Sequence, residues 1–185
     1  MALTFAERLA THLEAVLGAP AEPLDHDPEW KAEHAPGLTC LAVPPAGEYG
    51  YCTFVSSGLS RLAAGNVEYV ISSPFATLEH AALFNMIAAA IQARGTSYAL
   101  GDVIPIGRPW IEGATAAYLQ VSLPYPYGPE LEKADAVEPG LRLLWLVPIH
   151  ASEAEFLQQN DVEALEQRFE DASIDFVDPA RPPVV

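Results

Sequence analysis

Residues 49–62 read YGYCTFVSSGLSRL and residues 66–72 read NVEYVIS. From Tyr51 to Val55 the chain is rich in aromatic and β-branched residues, the composition of a half-buried pleated strand. Ser56-Ser57-Gly58-Leu59-Ser60 has turn chemistry. Beyond it the pattern alternates: Val67, Tyr69 and Ile71 fall on one side and Glu68 and Val70 on the other, the period of two that belongs to a strand. Two strands joined by a short polar turn place a sheet at the centre of the fold.

Upstream, residues 38–43 form a short apolar run that ends at Pro44-Pro45. If 38–43 and 50–56 make a hairpin turning near Ala46, Cys40 and Cys52 lie across from one another. Thr4 and Glu7 have capping-box spacing, and Phe5, Leu9, Leu13, Val16 and Leu17 recur on one helical face before Gly18 and Pro20 stop it. Residues 21–37 read as polar and irregular, anchored by Trp30. Downstream, a helix is expected over residues 78–94, with Thr77 as N-cap and Gly95 as stop. It is apolar around much of its circumference, so it packs against the sheet. Strands are expected over 103–106, 117–123 and 141–147, the last almost wholly apolar and therefore central. Ser152 and Glu155 suggest another capping box, Asp161 caps a further helix through Val162, Leu165 and Phe169, and residues 174–177 suggest a final short strand. Grouped strands with helices between the groups predict an α+β fold, a largely antiparallel mixed sheet packed by a central helix and C-terminal helices. No linker or repeat divides residues 1–185, so a single domain is expected.

Twenty-five acids against nine bases give a formal net charge of −16, while half the residues are hydrophobic. The chain has enough apolar material for a core and repels phosphate backbones and anionic lipid, so neither nucleic acid nor membrane is an expected partner. No apolar stretch is long enough to span a bilayer, and no basic segment followed by an apolar run opens the chain; a cytoplasmic location is expected. The acids concentrate: between His150 and Asp178 there are nine, against Arg168 alone. Such a surface speeds encounter with a basic protein, although a solvated helix face has the same composition.

Reactive constellations are weak. The glycines match no phosphate cradle, no HxxxH or CxxC occurs among His12, His26, His34, His80, His150 and the two cysteines, and no GxSxG is present. Glu153 and Glu155 at a helix start suit the helix dipole and need no general-acid role. No catalytic residue, metal or cofactor is expected.

The order of these strings resembles the suppressor of fused family: a strand, a Gly58-Leu59-Ser60 turn, and a strand carrying Glu68; then the middle helix and YALGDVIPIGRPW with its Gly101-Asp102 turn; then LRLLWLVPIHASEAEFLQQNDVEALEQRF. The similarity spans roughly residues 38–181. Ser57 stands where the family's Phe-Gly-Leu-Ser turn has an aromatic. The resemblance implies an α+β domain that binds another protein and no catalytic residues. In animals the family member sequesters a transcription factor of the Hedgehog pathway, whereas bacterial relatives are stand-alone domains, many regarded as immunity proteins that neutralise toxins. At 185 residues the chain is expected to lack the animal protein's second domain, so the animal partner is not expected to carry over.

A non-enzymatic immunity-type protein that covers a basic toxin domain is the leading expectation, with Ser57, Gly58, Ser60, Tyr125, Tyr127, Glu153, Glu155, Glu163, Glu166 and Glu170 as candidate contacts. One alternative is a small-molecule-binding or hydrolytic enzyme using Cys52, His80, His150 and Glu68. Another is a regulatory homodimer built on Trp110 and the loop Tyr125-Pro126-Tyr127. The protein is expected to be a monomer or a homodimer.

Overall fold

The structure is a computed structural model that describes residues 2–185. Seven strands form one sheet: β1 (Glu22–Leu24), β2 (Thr39–Val43), β3 (Cys52–Ser57), β4 (Val67–Ser73), β5 (Val103–Pro105), β6 (Tyr118–Ser122) and β7 (Arg142–Ile149), in the order β1-β2-β3-β4-β7-β6-β5. Every pairing is antiparallel except β4 with β7. The helices are α1 (Phe5–Leu17), α2 (Pro28–His34), α3 (Glu79–Arg94), α4 (Pro129–Glu132), α5 (Ala151–Phe156) and α6 (Val162–Ala172). Among the described residues no helix is long and apolar enough to cross a membrane.

Alternation along the strands divides the core in two. Phe54, Tyr69, Ile71, Leu144 and Leu146 point to the face covered by α3, through Leu83, Phe84, Ile87 and Ile91. Val55, Val70, Leu143, Trp145 and Val147 point to the face covered by α1, α4 and α6. Central strands buried on both faces therefore carry apolar residues at nearly every position. Each Leu or Phe so buried contributes on the order of 2 kcal/mol.

The α1 cap is as the sequence predicts: the Thr4 hydroxyl accepts from the Glu7 N–H, the Glu7 carboxylate accepts from the Thr4 N–H at 2.7 Å, and Gly18 closes the helix at φ 77°. Other boundaries differ. Helix α3 begins at Glu79, one residue later than expected, with the Thr77 hydroxyl accepting from the Glu79 N–H. Within 21–37, read as irregular, lie β1 and α2. The helix starts with Asp27 capping the Trp30 N–H and Pro28 in the first turn, where a missing N–H costs nothing. The box at the start of α5 uses Glu153, which accepts from the His150 N–H at 2.7 Å, rather than Ser152 and Glu155. Residues 174–177 form no strand; Phe176 instead packs edge-on against Trp145 and Phe169. The hairpin register corrects the cysteines. Cys40 faces Ser56, and Cys52 faces Ser73 on the neighbouring strand, so the two free thiols are not opposed.

One polar side chain is enclosed in the α3 face without a partner. His80 is fully buried, its ring stacked on Trp110 at 5.7 Å and tilted against Phe54 at 4.7 Å, and neither ring nitrogen makes a hydrogen bond. Burial, with the nearby Arg108 charge, lowers its pKa to about 3. The folded state thus binds fewer protons than the unfolded chain between the ordinary value of 6.5 and the folded one, and stability falls as pH drops through that window. Urea unfolding of wild type is expected to lose up to about 1.4 kcal/mol per pH unit below 6.5 from this group. In His80→Leu that contribution to the slope disappears; an unchanged slope contradicts the assignment.

Candidate functional site

Between α6 and the outer strands the second face of the sheet stays partly uncovered. The β6–β7 register sets Gln120 opposite Val147 and Ser122 opposite Trp145, and these four side chains form a floor. Helix α6 seals one side of it by burying Leu165 and Phe169. Two clefts result. One, of about 630 Å³, runs past Leu100, Val103, Tyr118 and Leu157; the other, of about 490 Å³, lies over the floor with Phe169 and Phe176 as walls. Tyr125 and Glu166 line both, so the clefts join into one trench. Tyr125 is 62% exposed and Leu100 49%, which leaves two apolar surfaces at the rim without internal partners.

The chemistry of the rim follows from helical spacing. Asp161 caps α6 by accepting from the Ala164 N–H at 2.9 Å. Glu163, Glu166 and Glu170 then fall three and four residues apart, which keeps them on one side of the helix. All four acids line the trench, and no lysine, arginine or histidine does. Glu166 accepts from the Ser122 hydroxyl at 3.1 Å. Partial burial raises its pKa above the ordinary carboxylate value, and the neighbouring charges of Glu163 and Glu170 add to the shift.

The trench gathers Tyr125, Glu163, Glu166 and Glu170 from the sequence-derived set; the other members sit elsewhere. Glu155 is exposed but lines neither cleft. Ser57 and Gly58 are buried and Ser60 half-buried, because their loop wraps Glu68. The fully buried Glu68 carboxylate accepts from the Gly58, Leu59 and Ser60 N–H groups at 2.8, 3.2 and 3.0 Å and from the Ser56 and Ser60 hydroxyls at 2.6 and 2.7 Å. Burial pushes its pKa up, against the pull of these donors. Gly58 takes φ 119°, and a Cβ there would stand 3.0 Å from the Gly37 carbonyl oxygen, so the turn requires glycine.

Glu153 is likewise interior. It forms a two-armed ion pair with Arg181 at 2.7 and 2.8 Å, both side chains buried. Tyr127 is buried too, its hydroxyl between Thr53 at 2.9 Å and Ser72 at 2.7 Å. Tyr127→Phe is therefore expected to lower stability by about 1–2 kcal/mol, the cost of orphaning buried hydroxyls, and to leave partner affinity unchanged; a thermal melt beside a binding titration separates the two.

The residues of the enzymatic alternative do not assemble. Glu68 is held by its loop, His80 by Phe54 and Trp110, and His150 by the Arg181 carbonyl at 3.0 Å, while no hydrogen bond among the described residues links any two of Cys52, His80, His150 and Glu68. None of the four lines either cleft. Trp110, offered for a symmetric dimer patch, is 1% exposed and cannot form one without unfolding its loop. Sequence reasoning missed Gln120. The available signal was the alternation in YLQVS, which sets Gln120 and Ser122 opposite Leu119 and Val121.

The comparisons with known proteins agree with this architecture. A protein described as a suppressor of fused homolog from Neisseria gonorrhoeae FA 1090 is 33% identical, with a TM-score of 0.87 over 98% of this chain and 97% of that one. A crystal structure of the Sufu–Fu complex shares the fold at 13% identity, with a TM-score of 0.67 over 95% of this chain and 90% of that one. No curated protein matches. The family model for the suppressor of fused protein matches residues 32–182. The chain belongs to the suppressor of fused family.

Proposed function

We propose that this chain acts by binding another protein rather than by catalysis, as an immunity-type domain that neutralises a basic toxin domain by covering it. The reading rests on one observation: a trench lined by Asp161, Glu163, Glu166 and Glu170 contains no basic side chain, and exposed Tyr125 and Leu100 stand at its edge. Concentrated negative charge steers a basic partner and speeds docking. Aromatic anchors in a partly desolvated groove supply most of the binding energy at such interfaces. A chain of the Sufu–Fu complex shares this fold, and a fold found within a protein–protein complex supports a docking role here.

Co-expression with a basic toxin domain encoded beside the gene tests this reading. Wild type is expected to restore growth, and the variant with Glu163, Glu166 and Glu170 all changed to lysine is not. Equal protection by both, or by neither, contradicts it.

A further inference from the structure

We propose that the cleft floored by Gln120, Ser122, Trp145 and Val147 is a pocket for one arginine side chain of the partner, with Glu166 as its counter-ion. The inference rests on the trench being the docking face and names the group that enters it. The pocket's volume of about 490 Å³ is within the range of sites that enclose a small ligand, roughly 300–1,000 Å³, and admits a long side chain with the backbone that carries it. Its walls are aromatic and fixed: Phe176 packs edge-on to Phe169 at 5.6 Å and to Trp145 at 5.0 Å. The Trp145 indole N–H is already committed to the Ser72 hydroxyl at 3.2 Å, so Trp145, Phe169 and Phe176 line the pocket with aromatic carbon surface and no free indole donor. A planar, weakly hydrated guanidinium stacks on such surfaces, whereas a compact ammonium keeps its water.

The polar groups converge on the same guest. Glu166 and Glu170 line the pocket and no cation does. Glu166 meets only the Ser122 hydroxyl and stands among other carboxylates, so a cation is what the site lacks. Gln120 lines the pocket at 1% exposure; its side-chain Nε2 is enclosed without a hydrogen-bond partner, while its side-chain carbonyl oxygen accepts from no donor among the described residues and is left free for a guest. An arginine can donate to the carboxylate and to this carbonyl together, since its five N–H groups spread in a fork.

The probes are the blocked amino acids Nα-acetyl-arginine, Nα-acetyl-lysine and Nα-acetyl-citrulline methylamides, titrated into the full chain and followed by NMR at the Gln120 side-chain amide and the Trp145 indole. Saturable shifts are expected with the arginine probe. Affinity is expected to be at least about tenfold weaker for lysine and citrulline, and for arginine on Glu166→Gln, in line with the loss of a fork-shaped charged pair. No saturable shift, or equal shifts from all three probes, overturns the pocket. A companion variant, Glu163→Lys with Glu170→Lys, leaves Glu166 in place and separates the two readings. Loss of partner binding in that variant, together with silence towards the arginine probe in wild type, overturns the pocket and leaves the docking face standing. Retained partner binding with the same silence overturns both.

Discussion

Replacement of Glu68 by leucine is expected to lower stability by roughly 4 kcal/mol or more, enough to leave much of the protein unfolded given a typical total of about 5–15 kcal/mol. The carboxylate is the common acceptor for three backbone N–H groups and two hydroxyls, and each buried donor left without a partner costs about 1–3 kcal/mol. Glu68→Gln keeps the shape but turns an NH2 group towards N–H donors, so a smaller loss of about 2–3 kcal/mol is expected. The same loop fails from the other side in Gly58→Ala, where the side chain needs φ 119° and meets the Gly37 carbonyl oxygen. Urea midpoints for the three variants check the ranking. A Glu68→Leu variant within about 1 kcal/mol of wild type would show that the clasp is not what holds the loop.

Arg181→Ala is expected to cost about 3–5 kcal/mol, because removing one member of a buried ion pair leaves the other charged and unsolvated. Glu153 depends on it: Arg181 supplies both arms, and the His150 and Val184 N–H groups the remaining donors. Burial works against the Glu153 charge, but Arg181 outweighs it and holds the carboxyl below its ordinary pKa of 4.5. The sign follows. The stabilisation is fully present above that ordinary value and is lost as pH falls through the lower folded value. Wild type should therefore lose stability on acidification over this window, and Arg181→Ala, already without the pair, should lose less. Unfolding curves at neutral pH and near pH 3 decide the matter; parallel losses in the two proteins would contradict it. The pair also fixes the last residues of the chain, since Arg181 donates to the Pro148 carbonyl at 2.7 Å and so ties the tail to the end of β7.

Periodicity made most of the fold readable. Strands β3, β4 and β7, the two long helices α1 and α3, and the Asp161 cap of α6 each carry a local pattern that their tertiary surroundings reinforce. Elements β1 and α2 were not legible as a strand and a helix because three and seven residues are too few for a period to show. The cysteine register failed for a geometric reason. The hairpin turns about residue 48, since Cys40 faces Ser56, and moving its centre by two residues moves the partner by four. At the site, the local strings divided unevenly. The acids of α6 and Tyr125 reach the trench, but the Ser57-Gly58-Ser60 turn serves Glu68 instead. Spacing alone cannot reveal that a glutamate turns inward, because a charged side chain in a strand ordinarily faces water. Tyr127 and Glu153 were hidden by the same limit: their partners, Thr53, Ser72 and Arg181, are distant in the chain.

On the function proposed here, the trench beside α6 is the docking face for a basic protein. The most direct measurement compares two variants of identical net charge by titration calorimetry against the same basic partner domain. In one, Glu163, Glu166 and Glu170 become lysine; in the other, the exposed Glu14, Glu29 and Glu33 become lysine on α1 and α2. The trench variant is expected to lose affinity by at least about a hundredfold, and the control by no more than a few-fold, since separated surface charges are screened over roughly 10 Å. Equal losses in the two variants would mean that overall charge, and not this trench, attracts the partner.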